Sequence, residues 1–269
     1  MKVAHIIVIL IAAIGVFLFA SRTKRVSFIV EAPQIKEGNL FIRNLDDSMV
    51  FSSSIVNGKT ILNKPMLVQP GYYTIQANPY NGRAGSKDTI YVEPDQYNIK
   101  IRIKKYPKIT TTSKIQQELS IYKKLLDSIS RVAQKHSQQY KQQLQSESAI
   151  ALPAQAYIAL INTVNNSHEE LSNVNSTAFL LYSKRYPNSI SAAHLMAGID
   201  YESDPVKYDK IFKRLSDEAH NTDEGKEMGK KLSRLIRITP GHEAPLIVGT
   251  TPDGKTFEKN NLDKKLYLL

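Results

Sequence analysis

Residues 97–126 read YNIKIRIKKYPKITTTSKIQQELSIYKKLL, and the spacing of apolar residues changes within this stretch. In its first eight positions Tyr97, Ile99, Ile101 and Ile103 alternate with Asn98, Lys100, Arg102 and Lys104. Successive side chains on a strand point to opposite faces, so this alternation predicts a half-buried strand with a charged outer face. From Ser113 the period lengthens. Ile115, Leu119, Tyr122, Leu126, Ile129, Ala133, His136 and Tyr140 recur at gaps of four and three, the seam of one long helix ending near Gln145. Ser113 and Gln116 have capping-box spacing, S-x-x-Q. The outer face of this helix is rich in Gln and Lys. A sheet-forming segment thus gives way to a helical one near residue 107.

Toward the N-terminus the period stays at two. Val26, Phe28 and Val30 alternate with Ser27 and Glu31, and Leu40 and Ile42 with Phe41 and Arg43. Val50 to Val56, then Asn57-Gly58, then Lys59 to Leu62, predicts a hairpin, because Asn-Gly supplies the two positive φ angles of a type I′ turn. Pro70-Gly71 predicts a type II turn before Tyr72 to Ala77. Ile90 to Glu93 predicts a short strand closed by Pro94-Asp95. About seven strands over residues 26–106 predict a small antiparallel β-sandwich.

Toward the C-terminus, helices are expected at 151–164, from Ser167 (with Glu170 at capping-box spacing) to Tyr186, and at 190–199, 205–219 and 223–236. They make residues 107–238 an α-helical module. Thr239-Pro240-Gly241 then breaks the helix. Ala244-Pro245, the apolar Leu246 to Val248, the turn Pro252-Asp253-Gly254-Lys255 and the apolar Leu266 to Leu269 follow, so residues 239–269 read as the opening of a further domain. The fold class expected is α+β multidomain: sandwich, helices, then these first strands. The 31-residue tail is not expected to fold by itself, being too short to offset its chain entropy.

The first residues are of another kind. Ile6 to Ala20 is an unbroken apolar run preceded by Lys2, so residues 1–25 read as a signal peptide or membrane anchor. Arg22, Lys24 and Arg25 follow it, and by the positive-inside count they slightly favour a cytoplasmic C-terminal side.

Composition narrows the chemistry. The 269 residues include 36 Lys and Arg against 25 Asp and Glu, a formal charge of +11, and no cysteine. Disulfides, thiolate metal sites, cysteine nucleophiles and dithiol redox centres are thereby excluded within this chain. The histidines His5, His136, His168, His194, His220 and His242 show neither H-x-H nor H-E-x-x-H spacing. The carboxylate pairs Asp46-Asp47, Glu169-Glu170 and Asp223-Glu224 are adjacent, so their side chains diverge and form no acid/base dyad. Hydrolase, P-loop and dinucleotide motifs are lacking. No catalytic, cofactor-binding or metal residue is assigned, and no cofactor is expected. Lys100, Arg102, Lys104 and Lys105 form a basic stripe that could meet phosphates or anionic headgroups. A solvated strand face is the favoured reading of it, and no nucleic acid partner is expected.

The order of motifs resembles the envelope thiol-disulfide proteins of the TlpA/ResA-like, AhpC/TSA thioredoxin-fold family. Gly241, Ala244, Pro245, Asp253, Gly254, Lys255, Leu262, Lys264, Lys265 and Leu266 to Leu269 are similar to the start of that fold. Asn57-Gly58-Lys59, Pro70-Gly71-Tyr72-Tyr73 and Tyr186-Pro187-Asn188-Ser189 with Ala192-Ala193 resemble its N-terminal DUF4369-type β-sandwich and helical linker. The resemblance implies export to the cell envelope or periplasm, with Ile6–Ala20 meeting the membrane. It also implies a Trp-Cys-x-x-Cys motif just after the strand at Leu266–Leu269, which this chain does not contain. The chain is therefore expected to be a non-catalytic part of such an oxidoreductase, whether as a fragment or through a natural stop. The alternative is a non-catalytic envelope protein whose sandwich and helices bind a partner.

Overall fold

The computed structural model describes residues 25–64, 69–82, 85–241, 248–250 and 253–258. The chain forms two compact units, Met1–Tyr182 and Ser183–Leu269. Residues 6–20 and 266–269, with His5, His242 and Ala244-Pro245, lie outside the described residues. Among the described residues no helix is long and apolar enough to cross a membrane.

The first unit is built on eight strands: β1 (Val26–Glu31), β2 (Glu37–Asn44), β3 (Met49–Val56), β4 (Lys59–Lys64), β5 (Gly71–Pro79), β6 (Ser86–Val92), β7 (Gln96–Arg102) and β8 (Lys105–Thr110). They form one hydrogen-bonded order, β6-β5-β2-β3-β4-β1-β7-β8. The small antiparallel β-sandwich expected over residues 26–106 is not confirmed, the described strands forming one continuous sheet. Period two identifies strands but says nothing about which strand is whose neighbour, and here β1 lies between β4 and β7, parallel to β7. The hairpin from β3 to β4 turns on Asn57 and Gly58, with φ of 50° and 74° as a type I′ turn requires. Beyond the Val56–Lys59 pair the two strands part, β3 running along β2 and β4 along β1. Both halves of the sheet supply one core that includes Phe28, Leu40, Ile42, Ile55, Ile75 and Tyr97. Phe28 of β1 meets Phe51 of β3 edge-on at 5.9 Å and stacks on Tyr97 of β7 at 5.4 Å. The sheet is thus curved, almost as a barrel is, with its alternating apolar face inside.

Two turns differ from the sequence reading. Gly71 has no positive φ and opens β5, so Pro70-Gly71 is not a type II turn. The basic alternation does not run straight through Lys104. The chain turns there, with Lys104 at φ 61°, and returns as an eighth strand. Pro107 on β8 is tolerated because β8 is a sheet edge.

Helix α1 (Lys114–Leu144) follows the predicted seam, and the Ser113 hydroxyl accepts from the Gln116 N–H. Asp95, in the β6–β7 turn, supports the same end. Its Oδ2 accepts from the N–H groups of Thr112 at 2.7 Å and Ser113 at 3.0 Å and from the Thr111 hydroxyl. The short α2 (Glu147–Ile150) leads into α3 (Ala154–Ser172), which packs along α1. The break expected before Ser167 is absent: Ser167 is buried within α3, and its hydroxyl donates to the Val164 carbonyl. The chain interrupts at Asn173 instead, before α4 (Val174–Arg185). Tyr182 of α4 is fully buried against Tyr122 of α1 at 5.5 Å.

The second unit holds α5 (Ala192–Ala197), α6 (Pro205–Phe212), α7 (Asp217–Asn221) and α8 (Asp223–Ile236). Where one helix was expected over 205–219, Ser216 starts a new one by accepting from the Ala219 N–H. Thr222 does the same for α8, accepting from Gly225 N–H at 3.0 Å. β9 (Val248–Thr250) and β10 (Thr256–Glu258) pair as an antiparallel hairpin about Asp253-Gly254-Lys255, with Gly254 at φ 81°.

Candidate functional site

Helix α1 carries polar residues one heptad apart, Gln116, Lys123, Ser130 and Ser137, beside its apolar seam. Heptad spacing keeps them on one face. Gln116, Lys123 and Ser137 are buried, while Gln117, Lys124, Gln134, Lys135, Gln138 and Gln139 face outward as expected. Gln116 does not complete a capping box. Its Oε1 accepts from the Tyr91 N–H of β6 at 2.7 Å, and its Nε2 donates to Ser120 at 3.0 Å. One helical turn pair further on, Lys123 Nζ donates to Asp88 Oδ1 of β6 at 2.6 Å and to the Thr89 carbonyl. Polar side chains therefore seat α1 on the sheet.

The Lys123–Asp88 pair is nearly dry, with side-chain exposures of 11% and 10%. Burial pushes the Asp88 carboxyl up despite the pull of Lys123, and pushes the Lys123 ammonium down despite Asp88. Both partners thus carry a net penalty for being charged there. Asp88 Oδ1 also accepts from the Thr89 N–H at 2.8 Å, while Oδ2 is buried without a hydrogen-bond partner among the described residues. The Lys123 ammonium lies 5.6 Å from the Tyr106 ring centroid. Burial, then Asp88 and Asp127, push the Tyr106 hydroxyl up.

Two clefts open on either side of Tyr106. One, of about 400 Å³, lies among the start of β6, the β7–β8 turn and α1, with Lys87, Lys104 and Lys105 on its rim. The other, of about 470 Å³, lies between β8 and α1 and is bordered by Arg102, Lys108 and Lys124. Tyr106 and Asp127 line both. Sheet register concentrates the charge, pairing Lys100 with Lys108 and Arg102 with Lys105. Directly opposed like charges on neighbouring strands repel by about 0.8 kcal/mol per pair in water at a separation of about 5 Å. Glu31, next to Lys100 on the β1 side, offsets one of these cations. The structure therefore brings the predicted stripe together and extends it with Lys87, Lys108 and Lys124, which the sequence reading left out. Lys108 carried no signal in the sequence: the stripe folds back on itself at Lys104, which has φ 61° and no glycine beside it.

The other candidates stay apart. His136 lies at the helix surface, 3.1 Å from Glu170. His168 is exposed on α3, and His220 meets the Phe212 carbonyl at 2.7 Å. Asp46 holds a turn through the Ser48 N–H, and Asp223-Glu224 occupy the first turn of α8. Among the described residues no group of three metal-ligating side chains converges.

No family model, no curated protein and no solved structure matches this chain.

Proposed function

We propose that this chain is the N-terminal, non-catalytic part of a cell-envelope thiol-disulfide oxidoreductase of the TlpA/ResA-like, AhpC/TSA type, carried to or through the membrane by Ile6–Ala20. In this reading the sheet with α1 corresponds to the family's β-sandwich module, the following helices to its linker, and the β9–β10 hairpin to the opening of its thioredoxin-like domain. The observation that supports it is the order of elements among the described residues: eight strands, eight helices, then a hairpin turning on Asp253-Gly254-Lys255. With no cysteine, the chain supplies no sulfur nucleophile, and its own part is to bind and to position.

The decisive experiment reads the gene beyond codon 269. An open frame with Trp-Cys-x-x-Cys within a few codons is the expected result; a stop codon there would overturn the reading. An alkaline phosphatase fusion after residue 30 tests location independently. It should be active, and an inactive fusion with an active cytoplasmic reporter would place the chain on the other side of the membrane. The second reading, a free-standing envelope binding protein, is favoured by one specific observation, the doubled row of like charges on β7 and β8.

A further inference from the structure

We infer that the two clefts flanking Tyr106 form one binding site for an acidic saccharide, a chain of sugar units bearing carboxylates. The first ground is charge. Lys87, Lys104, Lys105, Arg102, Lys108 and Lys124 surround Tyr106, and none forms an ion pair among the described residues. The acids of the lining are already occupied: Asp88 holds Lys123, and Asp127 is 3.4 Å from Arg131. The cations of the rim outnumber these acids and the Glu31 beside Lys100, and the Arg102–Lys105 and Lys100–Lys108 pairs add repulsion that an anion would relieve. A ligand with charges repeated along its length can meet cations in both clefts together.

The second ground is the lining between the charges. Ser86, Ser130 and Gln134 line one cleft, and Ser120 and Thr110 the other. These groups both donate and accept hydrogen bonds and so match sugar hydroxyls. The cleft volumes lie within the range of small-molecule sites, about 300–1,000 Å³. Among the described residues of the lining, a single-stranded nucleic acid fits less well. It requires a platform of aromatic side chains for successive bases, and Tyr106 is the one aromatic residue lining these clefts and is itself half-buried.

The test uses the full chain in detergent, with octagalacturonate as probe, neutral maltooctaose as the uncharged comparison and an eight-residue oligothymidylate as the alternative polyanion. Calorimetry should show saturable binding of octagalacturonate that weakens with salt, and none of maltooctaose. The triple variant Lys87→Gln, Lys105→Gln, Lys124→Gln should weaken it by roughly tenfold or more. The double variant Lys36→Gln, Lys59→Gln, on other exposed lysines, should leave it unchanged. An unaltered melting temperature of the triple variant without ligand shows that the loss is not unfolding. Equal or tighter binding of the oligothymidylate, equal binding of maltooctaose, an unaffected triple variant, or no binding of octagalacturonate would each overturn the assignment.

Discussion

Lys123→Met is the most informative perturbation of the sheet–helix seat. At 2.6 Å the Lys123–Asp88 attraction is about 6 kcal/mol for an effective dielectric constant of about 20. Desolvation removes several kcal/mol per ion, so the intact pair sits near balance. Removing the ammonium upsets that balance. Asp88 Oδ2 already lacks a partner among the described residues, and Oδ1 would retain only the Thr89 N–H. The buried carboxylate then costs about 3–5 kcal/mol, or about 10 °C in melting temperature for a unit of this size. Asp88→Asn alone should cost less, because Lys123 keeps the Thr89 carbonyl and the Tyr106 ring. The double variant Lys123→Met, Asp88→Asn holds no buried charge at this seat and should melt within about 1 kcal/mol of the parent. Urea and thermal denaturation followed by circular dichroism measure all four corners of the cycle. The single variant should also recover stability as pH falls, since protonation removes the stranded charge. A double variant as unstable as the sum of the singles, or a Lys123→Met chain of parental stability, would refute the reasoning.

Burial pulls the Asp95 carboxyl up, but hydrogen bonds from Thr111, Gln96 and Thr112 together hold it below the ordinary 3.8. Its stabilisation is therefore present above that value and lost as pH falls through the lower folded value. Asp95→Asn should flatten the acid limb of a stability–pH profile and cost about 1 kcal/mol at neutral pH; an unchanged acid limb would count against this. Burial pushes the Tyr97 and Tyr122 hydroxyls up to about 12, so ultraviolet titration should find these two ionising well after the exposed tyrosines. Tyr97→Phe should cost about 1–3 kcal/mol, because the Glu93 N–H loses the hydroxyl that accepts from it at 2.9 Å. Gly225→Ala should destabilise by about 2–4 kcal/mol, since a Cβ there would stand 2.1 Å from the Ala219 carbonyl oxygen; thermal melting reads it directly. Purified chain should leave insulin disulfides unreduced and peroxide unconsumed, and turnover above a buffer blank would contradict this.

Where interactions are local, the sequence was readable. Asn57-Gly58 needs only its own backbone to turn β3 into β4, and Ser113 needs only the next three residues to start α1. Non-local choices were not legible. Gln116 could reach back to its own cap or out to Tyr91, and only the presence of β6 beside it decides. Lys123 follows Tyr122 in the seam and has the composition of a solvent-facing position, yet Asp88 lies 35 positions away and draws it inward. The heptad Gln116, Lys123, Ser130, Ser137 was the available clue, a polar row too regular for an arbitrary surface. The basic stripe was visible as residues but not as a site, because the opposition of Arg102 to Lys105 depends on a turn at Lys104 that no glycine announces.

The placement of β1 governs the order in which the sheet can assemble. Hairpins β2–β3, β5–β6 and β7–β8 join neighbours along the chain and close short loops. β1 joins Ser27 to Asn63 on one side and to Gln96 on the other, so its second flank, β7, exists only when most of the sheet-forming chain has been made. Closing long loops is slow, and the pairing that requires it comes late. β1 also carries Phe28, the ring on which Phe51 and Tyr97 meet. The β1–β7 pairing is therefore a keystone: without it the strands β6-β5-β2-β3-β4-β1 and the hairpin β7–β8 are separate assemblies with an open apolar face, and the pairing joins them into one cooperative body.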